Sequence, residues 1–511
     1  MKLKKFWLLT MAVLLCGIAQ INAATIDLGS WTSTNHEDNS VSEETFTFTL
    51  STEGTLLFDW FVSSEGNYDW LRVYLDGMMV LEVSGVDNGT YINDFMSSGE
   101  HTLVVQYSKD SSVNNGDDQA SVTNICVYGI AEEIGEATVD GLSYKLMDDG
   151  TATVSALADN TMTDVVIPAT ITVEGTEYAV TSIGERAFER LNGITSVTIS
   201  EGVTSVGHFA FYYCRNLETV TILGALRFLG DYAFQYCTSL ENLTFSEGLI
   251  RIGKASISHC EMLKEITLPN SVQTIGEYAF DYSGLESINI PNSVTSIDDL
   301  AFSGCTALKE LTIADGYNSL SLGRNGEFQS LFFDCPLEAL YLGRDLEYNT
   351  DNEYGCSPFY GKGSLTSVTI GEGVTNINRY AFAGCTGLAS ITIPYGVTSI
   401  YDSAFDDCTV LKEVVIVDGY NSLWMGYNAE NQGLFFDCPL ETLYLGRDLE
   451  YNTDYEYGCS PFYGKESLTS VTIGEGVNTI NRNAFSGCTS LTSKVVFRSP
   501  KQPKTTRNNQ T

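Results

Sequence analysis

From Ile194 onward the chain returns to the same apolar phrase every 23 residues, and that period limits its fold more than any other feature. One turn reads Leu217, Val220, Ile222, Leu226, Leu229, Ala233, Phe234 and Cys237 before Leu240 opens the next. A Leu-x-x-Val-x-Ile phrase closed by Ala-Phe-x-x-Cys, with a period inside the roughly 20 to 29 residues of such repeats, predicts a leucine-rich solenoid. Rungs begin at Ile194, Leu217, Leu240, Leu263, Leu285, Leu308, Leu337, Leu365, Leu388, Leu411, Leu440 and Leu468, about 12 in all, and a thirteenth starts at Leu491. A single rung cannot bury its own apolar face, so only the stack folds.

A longer repeat overlies the short one. The segment from Leu308 recurs almost letter for letter from Leu411, an offset of 103 made of rungs of 29, 28, 23 and 23 residues. Residues 315–320 and 345–351, with their twins 418–423 and 448–454, therefore read as lengthened loops on otherwise regular rungs.

The chain before the solenoid has a different texture. Residues 1–23 carry Lys2, Lys4 and Lys5, an apolar run from Phe6 to Ile18, and Ile21-Asn22-Ala23, the pattern of a secretory signal peptide cleaved after Ala23. Acylation at Cys16 is a rival, less favoured route to the surface, because no small residue precedes it. No other apolar run reaches the roughly 20 residues of a membrane span. Residues 24–130 alternate apolar and polar side chains between Asp76-Gly77, Asp87-Asn88-Gly89 and Asn115-Gly116, which predicts a β-sandwich or jelly roll. Residues 131–182 read as a linker and N-terminal cap, with a hairpin between 140–146 and 149–154, residues 183–493 as the solenoid, and 494–511 as a basic disordered tail. The fold class is mainly β.

A net charge of -38, or -41 without the three N-terminal lysines, repels phosphate backbones and anionic lipid, so nucleic acid and direct membrane binding are disfavoured. Catalytic patterns are missing too. His36, His101, His208 and His259 are scattered, and there is no zinc-protease helix motif, Cys-x-x-Cys, nucleophile elbow or phosphate loop, so no enzyme, cofactor or metal is expected. The acidic loop bearing Asp345, Glu347, Asp351 and Glu353 could instead hold Ca²⁺, but its spacing matches neither an EF-hand nor a repeat-in-toxin pattern, and charge on a surface loop is usually just solvated.

The phrases Leu365-Thr366-Ser367-Val368-Thr369-Ile370-Gly371-Glu372-Gly373-Val374 and Tyr380-Ala381-Phe382-Ala383-Gly384-Cys385 resemble the BspA-type leucine-rich repeat family over residues 183–493. The order Leu57-Phe58-Asp59-Trp60, Tyr68-Asp69-Trp70-Leu71-Arg72 and Gly99-Glu100-His101-Thr102-Leu103 resembles a jelly-roll module allied to carbohydrate-binding and MAM-type domains, but Ser121 and Thr123 stand where such modules usually place Trp and Asp. The repeat resemblance implies a cell-surface or secreted bacterial protein that binds host matrix proteins, host cells or other bacteria, with no catalytic residues.

Cys214, Cys237, Cys260, Cys305, Cys385, Cys408 and Cys488 share one rung position. They form either a buried column of small side chains or, across rungs roughly 4.8 Å apart, cross-links such as Cys214 with Cys237. On the strands, positions four and six should point inward and position five outward. Position five is mostly threonine but becomes tyrosine at Tyr341 and Tyr444. Arginine and further tyrosine follow each, so Tyr341, Arg344 and Tyr348, and likewise Tyr444, Arg447 and Tyr451, are the candidate binding patches. Lying four rungs, or roughly 19 Å, apart, they would grip a repetitive ligand twice. The expected function is therefore non-catalytic adhesion to an extracellular protein or cell-surface ligand. The alternative is glycan capture by the sandwich through Trp60, Tyr68 and Trp70, with the solenoid as spacer.

Overall fold

The computed structural model describes residues 25–33, 41–50, 54–63, 70–83, 86–96, 99–109, 119–128, 131, 133–323, 330–348, 357–426, 434–451, 460–481, 484–491 and 495–497. The expected signal peptide, Cys16, Tyr68 and the end of the basic tail lie outside them. Every described element is a strand or turn, and among the described residues no helix is long and apolar enough to cross a membrane. The chain divides into two compact units, Met1–Ala158 with Pro168–Thr181, and Asp159–Ile167 with Ser182–Thr511.

The first unit opens with eight described strands: β1 (Thr25–Thr32), β2 (Val41–Leu50), β3 (Gly54–Ser63), β4 (Trp70–Leu75), β5 (Met78–Val83), β6 (Val86–Met96), β7 (Gly99–Ser108) and β8 (Gln119–Tyr128). They form two antiparallel sheets in the orders β1-β8-β3-β6 and β2-β7-β4-β5. This is the interleaved order of a jelly roll. Alternation sets the faces: Leu71, Val73 and Leu75 are buried while Trp70, Arg72 and Tyr74 are partly open, and Leu56, Phe58, Leu103, Val105 and Val122 complete the core. Between β4 and β5, Asp76 and Gly77 both take positive φ, the turn that a tight hairpin needs. The sequence-read hairpin is present as Leu142–Met147 against Thr151–Leu157, with Glu133–Val139 on its other edge.

In the second unit each rung has three sides. The Leu-x-x-Val-x-Ile phrase forms parallel strands in strict register: Val197 pairs Val220, which pairs Leu243. A second ladder stacks Ser205–Val206, Phe228–Leu229, Arg251–Ile252 and Thr274–Ile275. The third side is the Ala-Phe-x-x-Cys turn. Its Phe amides donate to the Ala carbonyl one rung on, as from Phe188 to Ala210 (2.8 Å) and Phe211 to Ala233 (2.7 Å), and its rings stack at 4.9 Å and 5.1 Å through Phe188, Phe211 and Phe234. Rungs thus join through backbone bonds on three sides, and their apolar side chains fill the space between.

The lengthened rungs keep this register. Leu311 pairs Leu340 and Leu340 pairs Val368, so the extra residues are taken up at corners. One strand corrects the reading of 494–511 as a disordered tail: Val495–Phe497, just after Leu491 opens the thirteenth rung, pairs in parallel with Val471–Ile473 of strand Ser470–Gly476.

Candidate functional site

Tyr341 lies on strand Ala339–Arg344, paired with Thr312 on one side and Thr369 on the other. A threonine at position five ends within its own rung, whereas the longer tyrosine reaches sideways. Its hydroxyl lies 2.9 Å and 3.0 Å from the two carboxylate oxygens of Asp315 on the lengthened corner of the preceding rung, and donates there. The carboxylate raises the tyrosine pKa, since losing the proton would set two anions together. Gly371 makes room, because a Cβ there would sit 2.8 Å from the Tyr341 hydroxyl and 2.5 Å from Asp315 Oδ1. The twin is the same: Tyr444 lies 2.9 Å from both oxygens of Asp418.

The arginines are not on this surface. Arg344 is 1% exposed and Arg447 fully buried, which corrects the expectation that they stand beside the tyrosines as open contact residues. Each side chain runs inward from the strand end and donates from Nη1 and Nη2 to two carbonyls two rungs back, Arg344 to Asn292 and Pro291 (3.0 Å each), Arg447 to Tyr395 (3.0 Å) and Pro394 (2.9 Å). Burial pulls the Arg344 guanidinium down to about 10, so it still carries its charge at neutral pH. Tyr348 is half-buried and donates to the Arg379 carbonyl of the next rung (3.2 Å), while Tyr451 is buried. Neither trio forms one surface patch; only its first tyrosine faces outward.

Sequence reasoning passed over the residues that do share the surface with Tyr341. Asn292, Asp315, Gly316, Tyr317, Asn318, Glu372 and Gly373 line a groove of about 430 Å³. Tyr317 stands fully exposed at its edge, and its counterpart Tyr420 is 95% exposed. The signal was available: Asp-Gly-Tyr-Asn recurs at 315–318 and 418–421, a polar phrase repeated where a loop alone would be free to drift.

Other candidates resolve differently. Trp60 is half-buried against the sandwich core, and Trp70 is half-buried with the Arg72 guanidinium 5.6 Å from its ring centroid. Asp345 accepts from the backbone amides of Thr375 (2.7 Å) and Asn376 (2.9 Å), so it caps the neighbouring rung, while Asp351 and Glu353 lie outside the described residues. Among the described residues no cluster of three or more His, Cys, Asp or Glu is placed to hold a metal. The cysteine column is buried, its thiols free and each donating to a Phe carbonyl one rung back, from Cys214 to Phe188 (2.9 Å) through Cys488 to Phe462 (3.1 Å). Cys335 and Cys438 belong to it as well. Leu331 and Leu434, standing in place of alanine, hid them from the motif.

The BspA type leucine-rich repeat pattern matches six copies across residues 158–286, 273–358, 352–429 and 456–500, more than half of the chain. The chain belongs to the BspA-type leucine-rich repeat family. Solved structures similar to this BspA-type chain include a leucine-rich repeat protein from Bacteroides ovatus, 27% identical over 69% of this chain and 80% of that one, with a TM-score of 0.40. A leucine-rich cell surface protein from Faecalibacterium prausnitzii is 23% identical over 72% and 96%, with a TM-score of 0.33. The leucine-rich repeat protein of T. pallidum is 27% identical over 40% and 91%, also with a TM-score of 0.33. No curated protein matches the chain. The BspA-type stretch at 273–358 takes in Asn292, Asp315, Tyr317 and Tyr341.

Proposed function

We propose that this is an exported, non-catalytic adhesion protein that holds protein ligands on host or bacterial surfaces through the outer strand face of its solenoid. The observation that carries this is the duplicated Tyr–Asp pair. Tyr341 with Asp315, and Tyr444 with Asp418, recur 103 residues and four rungs apart with the same geometry, each beside a fully or almost fully exposed tyrosine. A tyrosine fixed by its own hydrogen bond offers a contact area with little entropy left to lose on binding. Two of them on one rigid stack bind a repetitive partner with avidity. Family membership, the basic-apolar N-terminus and the strong negative charge support a secreted or cell-surface location and argue against nucleic acid as the partner.

The test is binding of the full chain to immobilised matrix proteins and to whole cells, with Tyr341→Ala and Tyr444→Ala made singly and together. Each single change should weaken binding several-fold and the double change should abolish the avid component. Unchanged binding by the double variant would reject the proposal.

A further inference from the structure

The groove residues recur 103 residues on, and one lining position, on the rung that precedes each copy of the long repeat, differs between the two sites. At the first site Asn292 forms one wall of the groove, and a Cβ on Gly316 would lie 3.6 Å from the Asn292 Cβ, ordinary van der Waals contact. At the second site Tyr395 stands there. Its ring lies against Gly419, where an added Cβ would come within 2.5 Å of the ring edge, and Asn421 donates to its hydroxyl (3.3 Å). Backbone and clamp are otherwise the same, since Arg344 donates to the carbonyl of Asn292 and Arg447 to that of Tyr395.

The lining of the open copy has a definite chemistry. Asn292 and Asn318 each present a donor and an acceptor in one plane, Asp315 and Glu372 present carboxylate acceptors, and Tyr317 offers an uncovered ring face. The charge is partly offset. The Arg344 side chain packs directly beneath Gly316, whose Cβ would lie 3.1 Å from Arg344 Cδ, and its guanidinium stays charged at neutral pH. A cationic side chain could pair with the carboxylates but, having no acceptor, would leave the donors of both amides unmet, whereas a neutral polyhydroxyl ligand can donate to the carboxylates and exchange bonds with both amides. Its C–H face can lie on the tyrosine ring.

We propose that the groove of Asn292, Asp315, Tyr317, Asn318 and Glu372 is a saccharide-binding site, open at this first site and closed by Tyr395 at its counterpart 103 residues on. It goes beyond the adhesion reading, because it needs one copy where adhesion needs both. Asn292→Tyr reproduces what the second copy already accommodates, so it blocks the groove in a rung built to tolerate the ring; Tyr395→Asn opens the other copy.

The experiment is saturation-transfer NMR and calorimetric titration of the full chain with a panel of methyl glycosides of neutral and N-acetylated hexoses, and with N-acetyl-lysine methylamide as the cationic probe. At least one glycoside should bind with one site per chain. Asn292→Tyr should weaken it tenfold or more with the thermal midpoint unchanged, Tyr317→Ala should weaken it several-fold, and Tyr395→Asn should raise the stoichiometry to two. Glycoside binding that survives Asn292→Tyr and Tyr317→Ala, binding of the lysine probe alone, or no binding by any glycoside would overturn the proposal. Cell and matrix binding by Asn292→Tyr separates the two readings, since adhesion through Tyr341 and Tyr444 leaves that variant adherent.

Discussion

Arg344 and Arg447 are the side chains whose placement departs most from their chemistry. A guanidinium in a core this narrow is tolerated because two successive backbone carbonyls, at 291 and 292 or at 394 and 395, converge on it from two rungs away. Hydrogen bonds to a charged donor are stronger than neutral ones, and removing the donor leaves the Asn292 carbonyl unmet and the Pro291 carbonyl with the Val294 amide alone (3.2 Å). Arg344→Ala should therefore cost about 2 to 5 kcal/mol. Because each rung is coupled mainly to its neighbours, the loss should also break one unfolding transition into two. Arg344→Lys should rescue only part of it, since a single ammonium cannot serve both carbonyls in the same fork. Urea unfolding followed by circular dichroism reads all three outcomes, and a loss under about 0.5 kcal/mol for Arg344→Ala would show that the carbonyls find water instead.

At the scale of the element, the Ala-Phe-x-x-Cys turn joins the rungs on the side that has no strand. Residues two before and two after its aromatic take positive φ in rung after rung, as at Phe209 and Tyr213, Tyr232 and Tyr236, and Tyr278 and Tyr282, with glycine at the second place in Gly304, Gly384 and Gly487. That curl brings each cysteine back under the stack, where burial pushes the Cys214 and Cys385 thiols up to about 12. The nine column cysteines should then resist a thiol-specific reagent near neutral pH in the native chain. At most the other four of the 13 should react, and unfolding should expose nine more. A smaller increase would mean that neighbouring rungs have become cross-linked. The period, register and cysteine column were legible in sequence because each rests on an apolar pattern that repeats. The turn's backbone was not, since tyrosine, histidine and aspartate occupy left-handed positions that usually announce themselves as glycine. The site was half legible: tyrosine breaking a threonine ladder pointed to Tyr341 and Tyr444. The partners Asp315 and Asp418 lie 26 residues away and meet them only after the corner folds. The arginines misled because a charge at the end of a strand reads as surface until the two carbonyls that accept it from two rungs back are seen.

For the whole molecule the governing quantity is the net charge of -38, carried by both units, whose share on the solenoid stores repulsion between rungs at neutral pH. Two carboxyls add to this locally. Burial pushes Asp281 and Asp406 up to about 6, and Asp407 beside Asp406 adds a like charge. Both keep more protons in the folded chain than in the unfolded one between that value and 3.8, so stability rises as pH falls through 6. Both are half-buried, and solvent screening reduces the gain to about 1 kcal/mol each. His208 and His259 oppose it, because burial lowers both imidazoles and the unfolded chain takes up their protons first. Relief of repulsion across the stack acts with the aspartates, so the thermal midpoint at low salt should be higher near pH 5 than near pH 7. Salt at about 0.5 M should shrink the repulsive share of that gain, whereas the Asp281→Asn, Asp406→Asn double variant should remove the share that salt leaves. If acid lowers the midpoint, or if the double variant keeps the full difference, the charges of this stack are relaxed by solvent and these two aspartates carry none of its pH response.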